Sequence, residues 1–208
     1  MGPRKGWVSR REDRAAVDVQ LSAALVGREL RRVRYVELQY EAPGWDAGRF
    51  HTVDYGIEFE LDDVGTWAVI WQQQGANETL LSYRGLIRDE LRPEADVSTW
   101  DVTEVWQSEL GRRVDRVETV WTRHRWGPAF GGAHFETQID DGHESDYCLV
   151  SVLLRGEDGR CAVVTLGGDA TDGRRTFTYL ADDVAVFFSI AAARDAGALL
   201  PGDADALT

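Results

Sequence analysis

Four histidines are the residues through which this chain would most cheaply do metal or acid–base chemistry, and only around His134 and His143 do several candidate ligands lie close together. A strand carrying His134 and a turn carrying "DDGHESD" would bring His134, Asp140, Asp141 and His143 around one divalent cation, since imidazole nitrogens and carboxylate oxygens suit such ions. The spacing matches no ligand signature, and the stretch lacks the alternating aspartates and downstream glutamate of an EF-hand loop. The plainer reading is a solvated acidic loop whose Asp and Gly residues make a turn. His51 and Asp54 fall on different faces of a strand that starts at His51, so they are not expected to pair.

No nucleophile elbow, paired catalytic cysteine, Walker loop or glycine fingerprint after a strand is present, so no catalytic residue is assigned and no cofactor is expected. The glycine-rich run "LGGDATDGRR" sits between two strand-like segments and does not open a helix. It therefore lacks the helix N-terminus that holds phosphate. Eight tryptophans remain. Trp67 and Trp71 flank Val69 at strand spacing and read as a shared aromatic core. Trp45, in "APGWDAG", and Trp126, in "RWGPAFGG", sit in Gly/Pro loops, where an aromatic side chain either anchors a partner or folds back as a lid on its own sheet.

The elements that must position these residues follow from periodicity. Apolar residues at helical spacing from Ala15 to Val26, stopped by Gly27, predict a helix, as do Val102, Val105, Trp106 and Leu110 before Gly111, with Ser98 or Thr99 as a cap. Val36, Leu38 and Tyr40 alternate with Glu37 and Gln39, which predicts a strand with one wet face. Val53, Tyr55, Ile57, Phe59 and Leu61 alternate in the same way, and "DDVG" supplies a turn into "TWAVIW", so residues 51–71 are expected to form a hairpin, with Thr79–Tyr83 as a further strand. In the second half, "YCLVSVLL" and "CAVVTL" bracket "RGEDGR" as a hairpin of more continuously apolar strands. "TFTYL" and "VAVFFSI" follow, and Ala191–Ala198 ends as a short helical turn. Cys148 and Cys161 flank that hairpin and read as buried thiols.

A faint duplication organises these elements. Aligned at Gly27 and Gly111, "LVGRELRRVRYV" lies over "ELGRRVDRVETV"; "VDYG" then matches "IDDG", and "DVGTWAVIW" matches "EDGRCAVVT", in the same order. A period near half the chain is too long for a solenoid repeat. The expected fold is therefore α+β and mostly β: two tandem related antiparallel β modules, each preceded by a short helix, packed as one compact body. Residues 1–14 form a flexible arm, 15–92 the first module, 93–200 the second and 201–208 a tail, with the boundary near Pro93.

The chain has 208 residues, enough to bury a core without metal or disulfide staples. Its abundance of Arg, Ala, Gly and Asp, with Lys5 the sole lysine and Asn77 the sole asparagine, reflects GC-rich coding more than chemistry. No apolar run is long enough to span a membrane, and the basic N-terminus has no apolar segment behind it, so a cytoplasmic protein is expected. A formal net charge of −13 disfavours nucleic acid and anionic membranes and favours basic surfaces. The leading functional expectation is a non-enzymatic binding protein, immunity-like or inhibitor-like, that captures a basic protein partner by charge and aromatic anchors such as Trp45 and Trp126. The alternatives are a small-ligand or metal-binding protein or hydrolase with a site between the modules that includes Asp54, Asp140 and Asp141, and a scaffolding subunit.

Overall fold

In the computed structural model, which describes residues 11–38, 42–74, 77–91, 96–125, 134–135, 146–169 and 176–199, Gly27 ends the first helix as its context predicts. Helix α1 (Arg11–Leu25) opens earlier than Ala15. It buries Val17, Leu21, Ala24 and Leu25, the stripe of an amphipathic helix. Gly27 takes a left-handed conformation, φ +74°, which costs a residue with a Cβ roughly 1–2 kcal/mol, and the chain continues as strand β1 (Leu30–Leu38).

The alternation from Val53 to Leu61 predicts one strand, but the chain breaks it at Asp54 and Tyr55. Strand β2 (His51–Val53) pairs with one sheet and β3 (Gly56–Leu61) with the other. Gly56 makes this corner possible. Its φ is +149°, and a Cβ there would lie 2.2 Å from the Val69 carbonyl oxygen. Val53 on one side of the corner and Ile57, Phe59 and Leu61 on the other all reach the main core, while Tyr55, at the corner itself, turns to the smaller cluster on the opposite face. Strands β4 (Gly65–Gln74) and β5 (Asn77–Arg84) complete the expected hairpin and its neighbour.

After the 3₁₀ turn Ile87–Glu90, strand β6 (Val97–Asp101) precedes helix α2 (Thr103–Glu109). Ser98 and Thr99, expected as helix caps, are strand residues opposite Glu37 and Val36. The cap role falls to Asp101, which accepts from the Thr103 N–H at 3.0 Å and its hydroxyl at 2.6 Å. Tertiary pairing with the open edge of β1 outweighs local capping chemistry here. The second half continues with β7 (Val114–Arg125), β8 (His134–Phe135), β9 (Asp146–Gly156), β10 (Cys161–Asp169), β11 (Phe177–Phe187) and α3 (Ile190–Asp195), the last capped by Ser189. The β9–β10 hairpin forms as expected, with Cys161 opposite Arg155 and Cys148 opposite Thr122. Cys161 is a buried free thiol.

The result is mostly β: two antiparallel sheets, ordered β5-β4-β3-β1-β6 and β2-β11-β10-β9-β7-β8, with one apolar core drawn from both. Within them the runs β5-β4-β3-β1 and β11-β10-β9-β7 have the same order, each beginning at the strand that follows a helix and a glycine. The halves also exchange pieces. Strand β2 joins the second sheet through β11, and β6 joins the first sheet through β1. Where the two helix-to-strand turns meet, their backbones bond reciprocally: Leu30 N–H donates to Arg112 C=O at 2.8 Å and Val114 N–H to Arg28 C=O at 3.4 Å. No helix among the described residues is long and apolar enough to cross a membrane.

The first strand departs from expectation in the face it buries. Val33, Tyr35 and Glu37 point into the core side, and Leu38 is exposed. Glu37, expected on the wet face, is 2% exposed. Val36 instead joins a smaller apolar cluster with Ala68, Leu81, Tyr83 and Ile87 on the other face of the sheet, so the middle of β1, from Tyr35 to Glu37, is buried on both sides while Arg32 and Leu38 stay exposed.

Candidate functional site

The seam between β1, β2 and β11 brings polar groups up against aromatic side chains of the core. Its first component is the loop before β2. Asp46 accepts from the Gly48 N–H at 2.7 Å, Ala47 N–H donates to Phe50 C=O at 3.1 Å, and Thr52 N–H donates to Trp45 C=O at 2.8 Å. These bonds fix Trp45, half-buried, edge-on against Tyr35 (5.6 Å between ring centroids, 78° between planes) and His51 (4.6 Å, 62°). Trp45 also lines an open groove of about 500 Å³ with Arg31, Arg32, Asp101, Thr103 and Glu104. Within it, Arg32 lies 3.4 Å from Asp101 and 3.6 Å from Glu60. Trp45 is thus both lid and groove wall.

Beneath Trp45 runs a buried hydrogen-bond relay. The indole N–H of Trp106 donates to the Tyr35 hydroxyl oxygen at 2.9 Å, and that hydroxyl lies 2.8 Å from His51 Nδ1. An indole nitrogen can only donate, so the tyrosine proton is free to point to Nδ1, the arrangement in which the His51 proton sits on Nε2. Burial pushes His51 down to about 4, against a smaller upward pull from Asp46, so the ring is neutral at pH 7. Burial likewise pushes the Tyr35 hydroxyl upward, with the Trp106 hydrogen bond opposing and Glu37 adding to the rise. Phe188, from beyond β11, packs edge-on to both His51 (5.3 Å) and Trp106 (5.2 Å), joining β2 of the second sheet to helix α2 through aromatic rings.

The third component is a set of carboxylates. Burial first, then the charge of Asp54, and to a lesser extent Asp183, push Glu37 up to about 7, while a backbone hydrogen bond from Gly44 and the neighbouring Trp100 hold it lower. Trp100 turns its indole N–H toward the Glu37 carboxylate without closing a well-formed hydrogen bond, and Glu37 Oε2 has no partner. Asp54 Oδ2 accepts from the Leu38 N–H at 2.8 Å, and its carbonyl accepts from Trp71 Nε1 at 2.5 Å. Asp183 sits in the irregular stretch where the β10–β11 register shifts. Gly168 gives it room: a Cβ there would lie 2.3 Å from Asp183 Oδ2 and 2.9 Å from Thr52 Oγ1.

Of the residues singled out in the sequence, Trp45 stands at this seam and Asp54 among its carboxylates. His51 lies 2.8 Å from the Tyr35 hydroxyl through Nδ1. Trp126, Asp140, Asp141 and His143 lie outside the described residues, and of His134 only the backbone is described, opposite Arg125. Among the described residues no group of three or more His, Cys, Asp or Glu is placed to hold a metal ion. Tyr35, Glu37, Trp106 and Asp183 were not anticipated. Glu37 and Tyr35 share a face of β1 by the same period-2 rule that suggested a wet strand, so the signal was present, but alternation alone does not say which face is dry. Comparison of the chain with protein-family models, with curated proteins and with solved structures finds no match to any of them.

Proposed function

We propose that the protein is a non-enzymatic binding protein that captures a basic protein, in the manner of an inhibitor or immunity protein, through the end of the sandwich that carries Trp45. The observation that carries this reading is the pinning of Trp45: a large aromatic ring, held by fixed neighbours, forms one wall of an open groove. An anchor ordered before binding loses little side-chain freedom on association, and aromatic anchors of this kind dominate binding energies. The net charge of −13 favours a basic partner and speeds its approach. Native mass spectrometry of the protein purified gently from the cytoplasm of its own host tests the reading. A stoichiometric basic partner whose affinity falls by more than ~1 kcal/mol in Trp45→Ala supports it, and a bare chain, or equal affinity in the variant, counts against it.

On the same reading, 15–92 and 93–200 are related modules. The shared strand order, the glycine at each helix-to-strand turn and the reciprocal bonds of Leu30 and Val114 support this, since equivalent segments of a two-fold pair contact each other reciprocally. A second functional reading, a small-ligand protein or hydrolase, is favoured by one observation: Glu37, held up to about 7 chiefly by burial, stays partly protonated at neutral pH and so keeps a proton to donate. Recovery of the native chain with a small molecule, released by Glu37→Gln, would favour it.

A further inference from the structure

The groove beside Trp45 is lined by a guanidinium, Arg32, that is only loosely held. On the face of the first sheet that carries Val36, Arg32 stands opposite Glu60, and Arg34 stands opposite Glu58 on one neighbouring strand and Asp101 on the other. The Arg34–Glu58 pair is tight, 3.0 Å from Nε to Oε2. Glu60 lies 3.6 Å from each arginine, and Asp101 Oδ2 lies 3.4 Å from Arg32 Nε. Charge-assisted hydrogen bonds run about 2.7–2.9 Å, so Arg32 is spread between two carboxylates without closing on either. Among the described residues, three carboxylates, Glu58, Glu60 and Asp101, share two guanidiniums, and the network is one cation short.

Asp101 is the fixed member of this network in the groove. Its Oδ1 accepts from the Thr103 N–H at 3.0 Å and from the Thr103 hydroxyl at 2.6 Å, and that hydroxyl oxygen accepts in turn from the Val33 N–H at 2.9 Å. The carboxylate is thereby anchored to the edge of β1, with Oδ2 left to its loose contact with Arg32. Trp45 forms another wall, held by its own loop. Glu104 adds a further carboxylate to the lining and Arg31 a further guanidinium, and these two charges offset each other. A fixed indole and a fixed carboxylate in one groove of about 500 Å³ suit a planar cation, which packs on an aromatic ring and donates in its own plane to a carboxylate. An ammonium, a compact and strongly hydrated charge, makes less use of such a wall.

We propose that the basic partner inserts an arginine into this groove, where its guanidinium packs against Trp45 and takes over Asp101 Oδ2, leaving Arg32 to Glu60. This rests on the binding reading above. It is tested on the full-length protein carrying ¹⁵N-labelled tryptophan and ¹³C-carboxyl aspartate, titrated with N-acetylarginine methylamide. The citrulline analogue, of nearly the same shape without the charge, is the control. The expected result is a saturable shift of the Trp45 indole and Asp101 carboxyl signals with the arginine compound and none with the citrulline compound. Affinity should fall roughly fivefold or more in Trp45→Ala and about two- to fivefold in Asp101→Asn, and should rise in Arg32→Gln, which frees the carboxylate. Glu109→Gln, an equal change of net charge at an exposed residue outside the groove, should leave it unmoved. Signals that the arginine compound fails to move, or that both compounds move alike, overturn the seat, and the wild-type titration decides this even if a variant fails to fold. The two readings fail separately. A basic partner whose binding leaves the Asp101 signal unmoved removes the arginine and keeps the partner, whereas an arginine compound that saturates the groove of a protein with no basic partner removes the partner and keeps the groove for a free guanidinium compound.

Discussion

The hydroxyl of Thr79, on the first sheet, serves both backbone groups of Leu149 on the second: it accepts from the Leu149 N–H at 3.1 Å and lies 3.3 Å from its carbonyl. Leu149 borders a bulge, where the β7–β9 register shifts between Val120 and Trp121. A buried threonine of the opposite sheet thus satisfies the ladder at its irregular point. Thr79→Val keeps the shape and removes the hydroxyl. We expect a loss of about 1–3 kcal/mol, read by urea unfolding, with Thr79→Ser retaining most of the stability.

Two buried titratable groups drive the pH dependence in opposite directions. Glu37 rises from 4.5 to about 7, so the folded state holds its proton more tightly and stability falls as pH rises through that window. His51 drops from 6.5 to about 4, so the unfolded state binds more protons between those values and stability rises with pH there. Between pH 4.5 and 6.5 the two slopes oppose, and the profile of the wild type should be nearly flat from these groups. Glu37→Gln should expose the rising His51 slope and gain stability over the wild type at pH 8, where the folded chain must otherwise hold a buried carboxylate. His51→Gln should expose the falling Glu37 slope. Thermal melts from pH 4 to 8 check both, and parallel profiles in all three proteins would contradict the assignment.

Tyr35→Phe removes the centre of the relay, leaving Trp106 Nε1 without an acceptor and His51 Nδ1 without a donor. We expect a cost of about 1–3 kcal/mol for each stranded group. The His51 pKa should move upward toward its ordinary value, because the donated hydrogen bond favours the neutral ring. Histidine NMR titration reads that change, and an unchanged midpoint would argue that burial alone sets it.

Gly168→Ala places a methyl group against the Asp183 side chain and Thr52. The expected cost is about 1–3 kcal/mol, and the carboxylate should swing away from Glu37, lowering the Glu37 midpoint. Carboxyl NMR detects that change, which a purely local packing defect would leave absent.

Much of the architecture is legible in the residues. Asp62–Gly65 gives the β3–β4 hairpin, "RGEDGR" the β9–β10 hairpin, and Gly27 the end of α1, because in each case turn chemistry and periodicity agree. What periodicity hides is the partner of each strand. Val53 and Ile57 keep one unbroken alternation while belonging to different sheets, and Val97–Asp101 looks like a helix cap until the edge of β1 is there to receive it. The site was obscured for the same reason. Trp45 and Asp54 stand out in the sequence, but Tyr35, Glu37, Trp106 and Asp183 acquire meaning only when three distant segments meet.

The crossing of β2 and β6 also governs how the chain is made. As synthesis proceeds from the N-terminus, the first sheet gains β6 only when residues beyond Pro93 emerge, and β2 waits for β11, the last of the described strands. A polypeptide halted midway would carry β2 with no edge to join and the core side of its sheet uncovered, the kind of exposed strand surface that invites aggregation. Severed at the middle, neither piece should refold by itself, whereas the two mixed together should reassemble, each supplying the strand that the other lacks.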